Sequence, residues 1–120
     1  MKIIKENEYI HQRFEWGTLT WYASDEIGGS SEMTIGKCRI LPGQHNPRHS
    51  HPNCEEIMHV TEGRIIHTIN DGEYELNKGE TIVVPRDTVH HAINIGDHDA
   101  ELLIVFSTNK REMVKENKKG

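Results

Sequence analysis

His49-Ser50-His51-Pro52-Asn53-Cys54-Glu55-Glu56 packs two imidazoles and two carboxylates into eight residues. On an extended strand, residues two apart share a face, with Cα atoms roughly 7 Å apart, so His49 and His51 can converge on one point. Pro47 and Pro52, which flank the pair, argue against a helix, where the two rings would diverge. Glu56 lies five residues past His51, an odd offset that would place it on the opposite face of one continuous strand. The chain must therefore break between them, and Pro52-Asn53 supplies a turn. Glu55 has the opposite parity to Glu56, so only one of the two carboxylates faces inward.

Downstream, short apolar or alternating runs recur, each closed by turn residues. Glu56 to Thr61 ends at Glu62-Gly63, and Arg64 to Ile69 ends at Asn70-Asp71-Gly72, a strong hairpin signal. Glu73 to Leu76, Thr81 to Val84 and Val89 to Ile95 follow in the same manner. Ala100 to Phe106 is apolar on both faces, with Leu102 to Phe106 apolar at consecutive positions, the pattern of a strand covered on both sides. Upstream, Thr18 to Ala23 and Met33 to Leu41 complete the set. Short strands at this spacing predict an all-β sandwich or barrel. No amphipathic pattern of three helical turns precedes residue 107, and the last dozen residues read as a short helix or a frayed end.

The chain has 120 residues, enough for one core and too few for two. We read it as a single domain over 1–120, with a core barrel at about 17–107 and a tail at 108–120. A net charge of −5 argues against a nucleic-acid partner. Lys110, Arg111, Lys115, Lys118 and Lys119 alternate with Glu112 and Glu116, which reads as a solvated tail. No apolar run approaches the ~20 residues of a membrane helix, so no membrane partner is expected. The N-terminus turns charged at once, without the apolar stretch of a secretory signal, and a cytoplasmic location is the default. Cys38 and Cys54 are then expected as reduced thiols.

Nine histidines are unevenly spread: His45, His49, His51 and His59 crowd into 15 residues, and His90 and His91 are adjacent. Imidazoles clustered near carboxylates suggest metal or proton chemistry. A fourth ligand, His90, is available from Val89-His90-His91-Ala92-Ile93-Asn94 if a barrel returns that strand to the same interior.

Two spaced patterns resemble the motifs of the cupin superfamily. Gly43, five residues, His49-x-His51, four residues, Glu56, six residues and Gly63 is similar to the first. Gly79, five residues, Pro85, then Val89-His90, three residues and Asn94 is similar to the second. Asp87 departs from the pattern, standing where the family usually has glycine; aspartate tolerates left-handed turns better than most residues. The resemblance implies a cupin double-stranded β-helix, a jelly-roll-like barrel of six or more strands, with one divalent metal per chain on His49, His51, Glu56 and His90. Three imidazoles and a carboxylate suit Mn, Fe, Ni, Co or Zn rather than calcium or magnesium. An open position on such an ion would polarise a chelating oxygen.

The expected function is metal-dependent catalysis on a small polar chelating substrate: an organic acid, an enediol or a sugar derivative. Dioxygenase, isomerase, decarboxylase and lyase chemistries all occur on this fold, so the fold does not choose among them. The alternatives are a small-ligand-binding or sensor barrel and a structural barrel merely stabilised by metal. Exposed sheet edges predict a homodimer, with Leu102 to Phe106 a candidate for burial there or between sheets.

Asn94 is expected to bond backbone, and Met58 to line the cavity. His91 is expected to point away from the metal, at a surface or interface. His45 is a lesser candidate for supporting a ligand, and His59 and His67 are assigned to a polar face or subunit contact. Trp16, Trp21 and Tyr22 read as packing before pocket, and Gly28-Gly29-Ser30-Ser31 as an ordinary loop. Arg48 has the wrong parity to face inward, and Arg64 is a weak candidate for an anion.

Overall fold

The computed structural model describes residues 1–117. A short 3-10 turn at Glu6–Glu8 precedes eleven strands: β1 (Ile10–Phe14), β2 (Gly17–Ala23), β3 (Thr34–Ile40), β4 (His49–Ser50), β5 (Glu56–Glu62), β6 (Arg64–Ile69), β7 (Gly72–Asn77), β8 (Thr81–Val84), β9 (His90–Asn94), β10 (Ala100–Phe106) and β11 (Val114–Lys115). They form two antiparallel sheets, one in the order β1-β2-β3-β10-β5-β8 and the other β11-β4-β9-β6-β7. This is the double-sheet all-β barrel anticipated from the alternating runs. β1, β4 as a two-residue strand and β11 are additions to that expectation.

Period-two alternation decides what faces the core. In β3 the residues Thr34, Gly36, Cys38 and Ile40 point in; in β10 Leu102, Ile104 and Phe106 do so, with Ala100. Met58 and Val60 of β5 meet Ile65, Leu76 and Ala92 of the other sheet to close the core. Gly36 pairs with Trp21 in register, and a Cβ at Gly36 would fall 2.6 Å from the indole ring. A side chain is excluded there because the ring occupies its place.

Leu102, Ile104 and Phe106 of β10 are the face buried between the sheets, and Leu103 and Val105 are on the opposite face. They are half-buried on the outer face, shielded only by neighbours on the flanking strands β3 and β5.

Residues 108–117 keep exposed side chains at Lys110 and from 112 to 117, as a solvated tail does, but Arg111 is half-buried and the backbone is tied to the barrel. They run back across the open end of the barrel, because polar side chains there capture their backbone groups. Thr34 Oγ1 donates to Thr108 O (2.8 Å), Asp25 N to Asn109 O (2.7 Å) and Asn53 Nδ2 to Lys110 O (2.9 Å). Glu112 N donates to Asn53 Oδ1 (2.9 Å), and β11 pairs with β4. Arg48 closes the strap through Glu116 at 3.0 Å. Lys118 and Lys119, part of the expected tail, lie outside the described residues.

Asp87 adopts φ +59°, the left-handed turn for which glycine is the usual residue, and Gly63 between β5 and β6 has φ +87°. A Cβ at Gly63 would also lie 3.0 Å from Ala100 Cα, so both conformation and space select glycine there.

Candidate metal centre

His49 on β4 stands opposite His90 on β9 in register, which sets their rings 4.4 Å apart. His51 follows β4 by one residue, and its ring meets Phe106 edge-on at 5.0 Å. Glu56 is the first residue of β5, across the barrel on the other sheet. All four side chains are buried, and one donor atom from each lies within 4.8 Å of every other. Glu55 is exposed, so parity separates the two carboxylates as expected.

The distances favour a shared cation. His49 Nε2 and His51 Nε2 are 3.1 Å apart, and Glu56 Oε1 is 3.3 Å from both His51 Nε2 and His90 Nε2. Donors held about 2.1 Å from one ion and about 100° apart lie about 3.2 Å from each other. Proton placement points the same way. His49 Nδ1 donates to Pro47 O (2.6 Å) and His51 Nδ1 to Glu112 O (2.8 Å). A carbonyl has no proton to give, so both Nδ1 atoms carry hydrogen and the Nε2 atoms are the ones turned toward each other. Two Nε2 lone pairs cannot bond each other, and a cation between them would satisfy both.

Protons are poor candidates for that cation. Burial lowers His49 to about 4 and His90 to about 2, with neighbouring imidazoles adding to the effect. A His–Glu ion pair at neutral pH is therefore not what holds Glu56 beside His90. Glu56 Oε1 and His90 Nε2 are buried without a hydrogen-bond partner, an arrangement that fits a divalent metal.

His67 is the residue that sequence reasoning misplaced. It is fully buried on β6, not at a polar face or subunit contact, and its Nε2 sits 3.1 Å from His90 Nδ1. For His90 to present a bare Nε2, its Nδ1 must donate to His67 Nε2, which places the His67 proton on Nδ1. That atom is buried and unpartnered. Burial lowers His67 to about 4, so it stays a neutral acceptor. The signal was available in part: His67 shares the parity of Ile65, which faces the core. What the local sequence lacked was the pairing of β6 with β9.

His91 does point away from the metal, but it is buried rather than at a surface: its Nδ1 is 2.6 Å from Thr68 Oγ1, and the His45 ring packs against it edge-on at 5.2 Å. His45 stays outside the cluster, with Nδ1 2.9 Å from Asn46 O. His59 Nδ1 lies 2.8 Å from Thr81 Oγ1 on the outer face. Asn94 bonds backbone as expected, donating to Ile40 O (2.9 Å) and His98 O (2.8 Å) and accepting from Gly96 N. Arg48 faces outward, and Arg64 is exposed.

The four donors line a cavity of about 320 Å³. Leu19, Trp21, Cys38, Met58, Ile104 and Phe106 form its apolar wall, and Phe14 and Met113 its exposed rim. Trp16 also lines it, stacked on Phe14 at 4.9 Å, whereas Tyr22 packs on Tyr9. Burial pushes the thiols of Cys38 and Cys54 up, so neither is activated as a nucleophile. Arg111, read as part of a solvated tail, instead lies with its guanidinium carbon 4.5 Å from the Trp21 ring centre and lines the same cavity.

Residues 36–106 match a family model described as "Cupin domain". A germin-like protein 3-8 of Oryza sativa subsp. japonica is 37% identical over 81 residues, covering 63% of this chain and 36% of that protein. Protein SchB of Streptomyces halstedii is 31% identical over 102 residues, covering 85% of this chain and 74% of its own length. Among solved structures, a Bacillus subtilis oxalate decarboxylase studied for its Mn(II) centres superposes with a TM-score of 0.80 at 22% identity, covering 86% of this chain and 29% of that one. The chain thus spans about a third of the length of the germin-like relative and of the decarboxylase.

Proposed function

The chain belongs to the cupin family, and from that premise we propose that it is a metal-dependent enzyme, holding one divalent transition metal on His49, His51, Glu56 and His90 and acting on a small polar substrate that chelates it. The observation that carries this reading is the convergence of four buried donors, two of them without any other partner, in a cavity of ligand size. When bound, the metal would supply Lewis acidity to a chelating oxygen. The chain's own part is to orient the donors: Pro47 O, Glu112 O and His67 Nε2 each fix one imidazole tautomer. The apolar wall excludes bulk water from the reacting atoms and strengthens charge interactions inside.

Manganese is the first candidate, supported by the Mn(II) centres of the superposed decarboxylase; Fe, Ni, Co and Zn suit the same donors. An organic acid is the first substrate class to assay, with decarboxylation ahead of oxygenation, isomerisation and elimination, because that structural neighbour is an oxalate decarboxylase. Elemental analysis of protein purified without a metal-affinity step, beside His90→Ala, tests the reading. About one equivalent of metal, lost in the variant, is expected. No metal in the native protein and none taken up when offered would overturn it in favour of a non-catalytic ligand-binding barrel.

The same reading includes a homodimer. Ile35, Val105, Ile57 and Val83 are cross-strand neighbours on the outer face of the larger sheet, an apolar row across four strands. Light scattering is expected to report a dimer for the native chain and a monomer for Ile57→Lys. A cytoplasmic setting is supported by Cys38 and Cys54, both buried as free thiols.

A further inference from the structure

The strap over the barrel mouth brings a charge with it. Arg111 sits half-buried over Trp21 and Phe106, 4.5 Å and 5.3 Å from their ring centres. Stacking uses the faces of the guanidinium and leaves its N–H edge available. Among the described residues, no carboxylate comes within ion-pair distance of Arg111, and no acceptor takes a hydrogen bond from it. Its place is not accidental: the next residue, Glu112, supplies the carbonyl that orients His51, so the segment that builds the metal cluster also sets the guanidinium.

The charges lining the cavity do not balance. Among the described residues Glu56 is the one acid lining the cavity, and its charge acts on Arg111, with Lys115 a second cation at the exposed rim. With a divalent ion on three neutral imidazoles and Glu56, one positive charge remains at the cluster and another at Arg111. Apolar walls screen neither well. An anion is the missing partner, and a cavity of about 320 Å³ limits it to a small one.

We propose that Arg111 determines ligand specificity, selecting small chelating molecules that carry a carboxylate, which its guanidinium would engage while the molecule binds the ion held by the four donors. This rests on the metal-site reading and narrows its substrate to acids over enediols and neutral sugars. Arg111 is planar and a carboxylate can be held by two parallel N–H bonds, a match that a diol or amide lacks.

The test uses Mn(II)-loaded full-length protein and two probes of equal shape, lactate and its neutral counterpart lactamide, with binding read from the Mn(II) electron paramagnetic resonance signal. In the native protein lactate is expected to bind more tightly than lactamide. In Arg111→Met, which retains a long side chain over Trp21, lactate affinity is expected to fall about 10- to 100-fold, as for loss of a charge-assisted bond, while lactamide changes less than about threefold. Arg111→Lys should recover part of the lactate affinity. Metal content and thermal midpoint are measured on every sample. If Arg111→Met takes up metal normally but both probes weaken together, or neither does, the specificity role is overturned and the metal site stands. If the native chain takes up no metal, the metal-site reading fails and this inference fails with it.

Discussion

The two sheets divide the work unequally. The six-stranded sheet contributes most of the apolar wall, from Trp21, Cys38, Met58, Ile104 and Phe106, and a single ligand, Glu56. The five-stranded sheet contributes His49 and His90, with His67 behind them and His51 one residue past β4. At one edge of that sheet β11 and its neighbour β4 are two residues each, whereas β2, β3, β5 and β10 of the larger sheet are seven each. Both sheets bury apolar side chains in one core, the smaller one through Ile65, Leu76 and Ala92. The smaller sheet also gathers imidazoles whose lone pairs face one another, an arrangement that gains stability when a cation occupies the centre.

Metal removal should separate the two sheets most sharply. A ligand at 1,000 times its dissociation constant adds about 4 kcal/mol of stability, and about 1 kcal/mol shifts the midpoint of a domain this size by roughly 4 °C. Chelation of a manganese-loaded sample is expected to lower the thermal midpoint by about 15 °C. Amide exchange should quicken first at β4 and β11 and last at β3 and β10. Uniform loss of protection would mean that the sheets behave as one unit and the contrast is wrong.

Leu102→Ala probes the other side. Leu102 is fully buried between β3 and β5, and its truncation should lower stability by about 2–5 kcal/mol. Metal affinity, by titration at a temperature where the variant is folded, should change less than about threefold. A variant that loses both together would place the metal's support in the apolar sheet.

His67→Phe is expected to do the reverse. A buried imidazole with an unpartnered Nδ1 is a poor core residue, so the metal-free variant should be as stable as the native chain or more so. Loss of the acceptor for His90 should weaken metal binding about 10- to 100-fold. Native metal affinity in the variant would show that His90 is oriented by packing alone.

The metal-free protein should also lose stability in acid. His49 and His67 are lowered to about 4 and His90 to about 2, against an unfolded value near 6.5. Below pH ~6.5 the unfolded chain takes up protons that the folded chain refuses, so stability falls as pH drops from about 6.5 through 4. Each group contributes at most about 1.4 kcal/mol per pH unit within its window. Denaturant midpoints at pH 7, 5.5 and 4.5 measure the slope. A flat profile in the metal-free protein would mean that the histidines are not held neutral.

Much of this contrast was legible in the residues. His90 joined the cluster through the resemblance to the second cupin motif, while strand parity and the Pro52-Asn53 turn brought His49, His51 and Glu56 together, because inward alternation and turn residues are local properties. Strand limits at Arg64–Ile69, Thr81–Val84 and Ala100–Phe106 were readable for the same reason. His67 and Arg111 were not, because their roles arise from partners far along the chain: β6 lies beside β9, and the strap is held by Asn53 and Arg48. The tail's lysines and glutamates are indeed exposed; what their pattern does not show is that Asn53 captures the backbone beside them.

Asp87 makes the smallest and most local prediction. It takes the left-handed turn at φ +59° that glycine occupies without a Cβ penalty, and its backbone N donates to His51 O at 2.9 Å. Asp87→Gly keeps that hydrogen bond and relieves strain of about 1 kcal/mol, partly offset by the greater freedom of glycine in the unfolded chain. Stability should rise by less than about 1 kcal/mol, with metal affinity unchanged. Because the turn lies directly against the His51 backbone, this variant also tests how rigidly the smaller sheet is specified. A change of more than threefold in metal affinity would mean that Asp87 tunes the position of His51, and that its departure from the glycine pattern has a function of its own.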